Sequence, residues 1–583
     1  MSKKLLPNLL VSGLLLFSFF VPATTATSTT NIDKTAPVLS ENHDENHQLN
    51  PQKMKNLTLS SSAVFNSDSK KIMLISDVHI MSEKLLKKDG KAFDDYLQKD
   101  RKLLQESRAI AKELANNILA ENPDVVLVSG DLTKDGELLS HQCFVEIFNP
   151  VLSAGIKMLV IPGNHDVDNP DAVYFNGDKT EKAESVTPRQ FSEIYRNFGY
   201  GDAISRDVNS LSYVSEPIDG LCVIAIDACK YYENKHISRG DEKDHCVTEG
   251  KIKPETMRWI KKQADLARTN GKQIIAMVHH NVVEHFDFQG DVSAPYLLEN
   301  FKEVQQDFMD AGIQVVFTGH FHANDIAKTY DTNGNYLYDV ETGSPVTYPC
   351  PYRIIEYRND NQLTISTKRI EKIDYDLQGE DFQAYARRII KESIPSVLSS
   401  LISEFYPEIK QYAKPYTTFI KIPEAEKLGQ IVEDNLGELA VEVMIKIYEG
   451  NNDNSYDNIM LKKLDKSIDN LAGDLARTWL IKGRIAKSLH KMDFVKKLKV
   501  AVSSIAYNMK GLNEQVVLSR NFSKWMAQNR EYIDDLNYAI YLQEPIKNLQ
   551  SFTVNPSFTP NNKFWEMDSK WAERAMALEV KAP

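Results

Sequence analysis

The sequence predicts a layered α/β domain followed by an all-helical one, and three observations carry this reading. Between Ile72 and about Lys372, short apolar runs of strand length alternate with longer stretches of helical periodicity. After about Asp374 the strand-like runs stop, and apolar residues recur only at spacings of three and four. Five of the strand-like runs in the first part end in Asp, Asn, His or Gly, which gathers polar side chains at one edge of a sheet.

With 583 residues, 42% of them hydrophobic, the chain has room for two or three domains and a sizeable core. A net charge of -12 and the lack of a long Lys/Arg block exclude a protein built to grip duplex nucleic acid, while small phosphate esters stay within reach. Five cysteines, Cys143, Cys222, Cys229, Cys246 and Cys350, are too scattered for a disulfide scaffold. Their odd number leaves at least one free or paired between chains, and burial is their expected role.

Taken in order, Lys3 and Lys4 precede an apolar stretch from Leu9 to Val21 and then the small residues Pro22 to Thr27. That order predicts a secretory signal peptide over residues 1–26, cleaved after Ala23 or Ala26, and a secreted protein. The apolar run is short for a bilayer span, so membrane contact is expected only through this transient segment. Residues 27–70 are mainly polar and read as a flexible tether.

Residues 71–372 form the predicted α/β domain, beginning with the strand Ile72 to Ile75. The expected elements that follow are a helix Arg101 to Ala120, strands Val125 to Val128, Met158 to Ile161 and Leu221 to Ile226, and a helix Glu255 to Asn270. A strand Ile274 to Val278, a helix Leu297 to Ala311 and a strand Ile313 to Phe317 complete the alternation. Tyr336 to Val340, Arg353 to Tyr357 and Gln362 to Ser366 follow one another without helices, which predicts an antiparallel part. In residues 373–583 the apolar stripes are Leu428, Val432, Leu436, Leu439, Val443 and Ile447, then Leu461, Leu464, Ile468, Leu471, Leu475 and Trp479. Ile422-Pro423-Glu424 marks a start and Gly450 to Ser455 a break. This region has no Cys and only His490 as histidine, so it is expected to pack or position.

The chemistry sits at the strand ends. The first strand leads into Ser76-Asp77-Val78-His79, and the next into Ser129-Gly130-Asp131. Pro162-Gly163-Asn164-His165-Asp166 supplies an amide, an imidazole and a carboxylate in succession, and Val278 is followed by His279-His280-Asn281. Last comes Gly319-His320-Phe321-His322, two imidazoles at alternate positions. Singly, such residues cap helices or form turns. Together they supply the mixed N and O donors that two adjacent divalent ions need.

The ordered series Asp77-x-His79, Gly130-Asp131, Gly163-Asn164-His165-Asp166, His279 and Gly319-His320-x-His322 resembles the calcineurin-like metallophosphoesterase superfamily over residues 71–372. The resemblance implies a four-layer αββα sandwich of two mixed sheets flanked by helices. It implies that Asp77, His79, Asp131 and His322 hold one metal ion and that Asp131, Asn164, His279 and His320 hold the other, Asp131 bridging. His279 matches the first His of the family's His-x-Pro pattern, but Asn281 stands where Pro is common, and His280 stays open as the ligand or as a pocket residue. The family's role for His165 is to face the substrate and protonate the departing alkoxide, and Asp166 would orient its ring. Imidazole and carboxylate ligands without thiolate suit manganese, iron or zinc. Two such cations lower the pKa of a shared water, so that a bridging hydroxide attacks phosphorus in line.

Within the superfamily, Leu132-Thr133-Lys134 lacks the Tyr of purple acid phosphatases, and Ile161-Pro162 lacks the Arg of Ser/Thr protein phosphatases. Secreted 5'-nucleotidases add an α/β domain where this chain adds helices. The combination is most similar to secreted Gram-positive class III cyclic nucleotide phosphodiesterases with a helical C-terminal domain. This implies small phosphodiester substrates, 3',5'-cyclic nucleotides foremost. A glycerophosphodiester, phospholipid or other cell-envelope ester is the alternative, and a non-catalytic binding protein is a third reading, disfavoured by the filled ligand positions. Two insertions, Asp168 to Pro188 with Tyr174 and Phe175, and Lys230 to Thr248 with Tyr231, Tyr232 and His245, are either variable surface loops or a rim that stacks on a base.

Overall fold

The computed structural model describes residues 69–98, 100–235, 246–357, 363–450, 459–506 and 551–554. The expected signal peptide, nearly all of the expected tether, His245, Gln362 and the expected break after Gly450 lie outside the described residues.

In chain order the α/β region runs β1 (Lys70–Ile75), β2 (Leu86–Lys88), α1 (Lys91–Leu97), α2 (Ser107–Glu121), β3 (Val125–Val128), α3 (Leu138–Ser153) and β4 (Lys157–Val160). It continues with β5 (Val173–Asn176), β6 (Lys179–Lys182), α4 (Pro188–Ile194), β7 (Ser205–Arg206), β8 (Tyr213–Ile218), β9 (Leu221–Ile226) and α5 (Pro254–Thr269). Then come β10 (Gln273–Val278), α6 (Phe301–Ala311), β11 (Val315–Thr318), β12 (Ile326–Tyr330), β13 (Tyr336–Glu341), β14 (Pro351–Tyr357) and β15 (Leu363–Arg369). One sheet has the order β16-β15-β14-β1-β3-β4, where β16 is Ser551–Val554, and the other β12-β13-β11-β10-β9-β8-β7. Parallel pairing links β1 to β3, β3 to β4, β9 to β10 and β10 to β11, and the late strands β14 and β15 are antiparallel, as the missing helices predict.

Strand alternation sorts side chains between two cores. In β9, Leu221, Val223 and Ala225 join the core between the sheets, while Cys222, Ile224 and Ile226 pack with Ile260 and Ala264 of α5 and Phe308 of α6. The other sheet is covered by Ile110, Leu114 and Ile118 of α2 and Phe144 and Phe148 of α3. The result is the four-layer αββα sandwich.

Two expected helices begin late. Asp100 to Glu106 is a loop rather than a first helical turn, because Leu103 N–H donates to Val346 O (2.7 Å) and Lys102 N–H to Asp100 Oδ1 (3.0 Å). Leu297 and Leu298 form bridges to Asn281 and Gly250, which delays α6 to Phe301. All five cysteines are buried and free.

The C-terminal region is helical from α7 (Phe382–Glu404) through α8 (Tyr406–Ala413), α9 (Ala425–Glu449), α10 (Ile459–Leu475), α11 (Lys482–Lys491) and α12 (Asp493–Ala506). Two details correct the sequence reading. Trp479 is not on the buried stripe: α10 ends at Leu475, and Trp479 is 78% exposed. Residues beyond 373 are also not uniformly helical, since β16 pairs antiparallel with β15 and covers an otherwise open sheet edge. No helix among the described residues is long and apolar enough to cross a membrane.

The helices share a core with the sandwich. Ile390, Ile394 and Leu398 of α7 and Val432 and Leu436 of α9 belong to the same apolar cluster as Tyr348, Tyr352 and Ile355. Hydrogen bonds cross the same boundary: Tyr385 Oη donates to Glu106 Oε1 (2.6 Å), Tyr348 Oη to Glu449 Oε1 (2.5 Å) and Gln383 Nε2 to Ile370 O (2.6 Å). Apolar surface this continuous unfolds as one unit. The chain is therefore expected to melt in a single calorimetric transition, and a fragment ending at residue 372 to aggregate. Two resolved transitions with a soluble fragment would contradict the shared core.

Candidate metal centre

Because β1, β3 and β4 are parallel in one sheet and β10 and β11 in the other, their carboxyl ends open onto one edge of the sandwich. Asp77 and His79 follow β1, Asp131 follows β3, Asn164, His165 and Asp166 follow β4, His279 follows β10, and His320 and His322 follow β11. Every one of these is buried, and the structure brings all of them together. Close approach explains two motif glycines. A Cβ on Gly319 would overlap Ser76 Oγ and Asp77 Oδ2, and one on Gly163 would overlap the backbone N and carboxylate of Asp131.

Two groups of donor atoms, Asp77-His79-His322 and Asp131-His279-His320, meet where His79 approaches Asp131. In the first, His322 Nε2 lies 3.3 Å from both His79 Nε2 and Asp77 Oδ1, and His79 Nε2 lies 3.5 Å from Asp131 Oδ2. In the second, His279 Nε2 lies 3.3 Å from Asp131 Oδ2 and 3.2 Å from Asn164 Oδ1, and His320 joins the same cluster. Neighbouring carbonyls fix two of the rings: His279 Nδ1 donates to Ser129 O (2.9 Å) and His320 Nε2 to Pro295 O (3.2 Å). Their other nitrogens present lone pairs to the cluster.

The residues fit a pair of cations. Buried lone pairs of imidazole, carboxylate and amide oxygen that face one another at these distances need a positive charge between them. The titration behaviour marks where it is wanted. Burial lowers His279, but the Asp131 carboxylate outweighs it and pushes the ring up to about 9. Burial, unopposed to that degree, leaves His79, His320 and His322 lowered, the neutral form that ligates. His280, the alternative ligand, turns away: its Nε2 donates to Thr248 O (2.8 Å).

His165 lies with Nε2 4.0 Å from Asp131 Oδ2, and its ring is held by a residue other than Asp166. Its Nδ1 donates to Asp135 Oδ1 (2.8 Å), and Asp135 is paired in turn with the fully buried Lys134. Asp166 does not orient the ring. Its carboxylate accepts Leu132 N–H (3.0 Å), Thr133 N–H (2.9 Å), Thr133 Oγ1–H (2.8 Å) and Gly163 N–H (2.8 Å), so it clamps the Asp131 and Asn164 loops to each other. Nothing in the polar run Thr133-Lys134-Asp135-Gly136-Glu137, which reads as a turn, singles Asp135 out in the sequence.

A cavity of about 500 Å³ opens over these residues. Both insertions contribute to its wall, through Pro170, Asp171, Val173, Thr180 and Lys182 and through Cys246 and Thr248. Of the two readings of these insertions, surface loops or a stacking rim, the rim is not seen in Tyr174, Phe175, Tyr231 and Tyr232, which do not line the cavity. Phe175 sits in a small core with Phe93, and Tyr231 Oη donates to Asp227 Oδ2 (2.9 Å). Tyr96, Tyr296, Arg101 and Lys102 line the cavity instead.

Residues 70–324 match the calcineurin-like phosphoesterase family. The match lies within the α/β region and spans less than half of the chain. A stretch of 57 residues is 45% identical to a "Probable cyclic nucleotide phosphodiesterase" of Ruthia magnifica subsp. Calyptogena magnifica, covering 10% of this chain and 23% of that protein. A second protein of the same name, from Vesicomyosocius okutanii, is 40% identical over 55 residues, 9% of this chain and 22% of its own length. The chain thus spans less than a quarter of these curated relatives. Among solved structures, a dimetal phosphatase from Danio rerio is 14% identical with a TM-score of 0.35, over 51% of this chain and 95% of that one. A purple acid phosphatase from yellow lupin seeds is 13% identical with a TM-score of 0.32, over 52% of each chain.

The α/β region should respond differently to its two neighbouring carboxylates. Asp166→Ala strands four donors, so it is expected to cost about 3 kcal/mol or more in denaturant unfolding. Asp135→Asn keeps a hydrogen-bonding amide beside His165 and leaves the buried Lys134 its second partner Glu137, so it should cost less, about 2 kcal/mol. Equal destabilisation would refute the division of labour between them.

Proposed function

We propose that the protein is a secreted, dinuclear-metal phosphodiesterase that hydrolyses small phosphodiesters, 3',5'-cyclic nucleotides foremost. The observation that carries this reading is the convergence of two donor groups on Asp131 with His165 beside them at the cavity wall. Asp77, His79, Asp131 and His322 would hold one ion and Asp131, Asn164, His279 and His320 the other. Such ions supply Lewis acidity and positive charge for the phosphate oxygens and lower the pKa of the attacking water.

The chain's own residues do the rest. Burial lowers His165, yet Asp131 and Asp135 outweigh it and leave the imidazole raised, which favours the acid form. With Nδ1–H committed to Asp135, the ring holds its second proton at Nε2, on the side of the cavity, where a leaving alkoxide can take it. Lys134 and Glu137 keep Asp135 in place from behind (Lys134 Nζ to Glu137 Oε1, 3.0 Å). The buried donor cluster sees phosphate rather than base, which suits a range of small diesters. The printed names of the short relatives support cyclic nucleotides, and the charged, apolar and small residues in order at the N-terminus support secretion.

Protein lacking residues 1–26, with added manganese, is expected to hydrolyse both 3',5'-cyclic AMP and bis(p-nitrophenyl) phosphate. Turnover of the generic diester alone would transfer the assignment to envelope diesters, and turnover of neither would end the phosphodiesterase reading. His165→Ala should lower kcat by about 10²–10⁴-fold with metal content retained. Asp135→Asn should lower it about 10-fold and shift the alkaline limb of the pH–rate profile to lower pH, since it weakens the support for the protonated ring. Full turnover by His165→Ala would sink the proposed acid.

A further inference from the structure

The helical region turns an apolar and cationic face to solvent, far from the chemistry in sequence. Trp479 is 78% exposed and Leu480 91%, on the turn Trp479–Ile481 that leads into α11, and Tyr416 and Phe419 are 50% and 54% exposed at the turn Lys414–Tyr416 that follows α8. The two turns adjoin. Ile420 and Ala476 form an antiparallel bridge, Lys421 N–H donates to Leu475 O (2.7 Å), and Arg477 Nε donates to Thr417 O (2.8 Å). Four large apolar side chains are thus gathered in water, which marks an interaction site.

Packing accounts for the inner side of these turns and leaves the outer side over. Ile420, Ala476 and Ile481 face inward and join Ala472 of α10 and Ile485 and Ala486 of α11 in a small core. Trp479 and Leu480, beside Ile481 in the chain, take no part in it. The fold therefore does not call for apolar residues at these two positions.

Charge names the partner. Residues 410–421 contain Lys410, Lys414 and Lys421, and residues 475–492 contain Arg477, Lys482, Arg484, Lys487 and Lys491, with no Asp or Glu in either segment, in a chain whose net charge is -12. Two acids of α10, Asp465 and Asp469, are paired with Lys499 and His490 instead. Lys482 Nζ lies over the Trp479 ring (4.7 Å), so that cation and ring present one surface. Lysine is depleted from interfaces between proteins, whereas exposed Trp, Tyr and Leu set among Lys and Arg suit the boundary of a lipid layer. There the apolar side chains enter between headgroups and the cations meet their phosphates. A neutral lipid surface would use only the first set; an anionic one uses both.

We infer that Tyr416, Phe419, Trp479 and Leu480, with the Lys and Arg side chains around them, form a docking face for an anionic phospholipid surface. This contact is separate from the one expected of the N-terminal segment, and it does not rest on the phosphodiesterase reading. Because the helices share a core with the sandwich, docking brings the cavity to the membrane along with them.

The test is co-sedimentation with vesicles of phosphatidylcholine, alone or mixed with an equal amount of phosphatidylglycerol, in about 0.1 M salt. Protein lacking residues 1–26 is used, because the apolar run Leu9 to Val21 would bind lipid by itself, and every described residue is retained. Binding to the mixed vesicles is expected to be at least about 10-fold tighter than to phosphatidylcholine. Trp479→Ser with Leu480→Ser should weaken it at least about 10-fold, and Lys414→Gln with Lys421→Gln and Arg484→Gln should remove most of the preference for the anionic lipid, both at an unchanged melting temperature. Tryptophan emission should shift to the blue on binding, and Trp479→Phe should bind and lose that shift; a shift that persists overturns the part given to Trp479. No binding, equal binding to both kinds of vesicle, or binding untouched by the Trp479 and Leu480 substitutions overturns the docking face. A dimer in sedimentation velocity that the same double substitution dissociates, without vesicle binding, overturns it in favour of a second copy of the chain.

Discussion

The site depends on one buried carboxylate, Asp131, shared by imidazoles that approach it from different strands. His279 and His79 bring Nε2 to 3.3 and 3.5 Å of its Oδ2, and the backbone N–H of His165 holds Oδ1 at 2.9 Å. Burial alone would raise Asp131, but the surrounding rings hold it well below the ordinary carboxylate range. A charge so fixed at the junction of two sheets gives both donor groups a common neighbour, and every other ligand is positioned by reference to it. The four donors on Asp166 serve the same end, tying the Asp131 loop to the Asn164 loop.

This arrangement has a conformational cost. Asp77 (φ 53°), His79 (φ 43°), Asp131 (φ 50°), His320 (φ 72°) and His322 (φ 64°) all occupy the left-handed region. For residues with a Cβ this costs on the order of 1 kcal/mol or more each. The chain leaves each parallel strand in this conformation because an extended exit would carry the ligand past the sheet edge and away from Asp131. What offsets the strain is the apolar sandwich beneath. The strands that end in the site are buried throughout their last residues, and the left-handed turns are locked by bonds such as His79 N–H to Asp131 O (3.0 Å) and Asp77 N–H to Gly130 O (2.9 Å).

Much of this was legible in the sequence because the information is local. A buried strand announces itself by its apolar run, and a ligand by its place just after it, so the two-sheet sandwich and the convergence of Asp77, His79, Asp131, Asn164, His279, His320 and His322 could be expected. What could not be read depends on contacts between distant segments. Asp166 and Asp135 are both acidic residues near His165, and only the fold shows that one accepts backbone donors while the other accepts the imidazole. Arg101 looked like a helix start because Leu103 and Leu104 suit a helix, but Val346 captures the backbone of Leu103 and opens the segment into a wall of the cavity. Tyr174, Phe175 and Tyr231 looked like a stacking surface, since an aromatic residue in an insertion can turn inward or outward; packing with Phe93 and bonding to Asp227 took two of them away.

The same distinction bears on what the helical region can do. Its contacts with loops of the α/β region include Tyr385 on Glu106, Glu449 on Tyr348, and Tyr448 beside Arg101. None of these touches a ligand of either donor group, whose members are held by the sheets and by each other. A shift in the packing of α7 or α9 would therefore move the cavity wall and leave Asp131 and its imidazoles where they are. The donor groups and the cavity wall are thus held by different parts of the chain: the strand ends carry the first, and the loop held between Val346 and the helices carries part of the second. One end of the cavity belongs to the sandwich, and the helices fix what lies across from it.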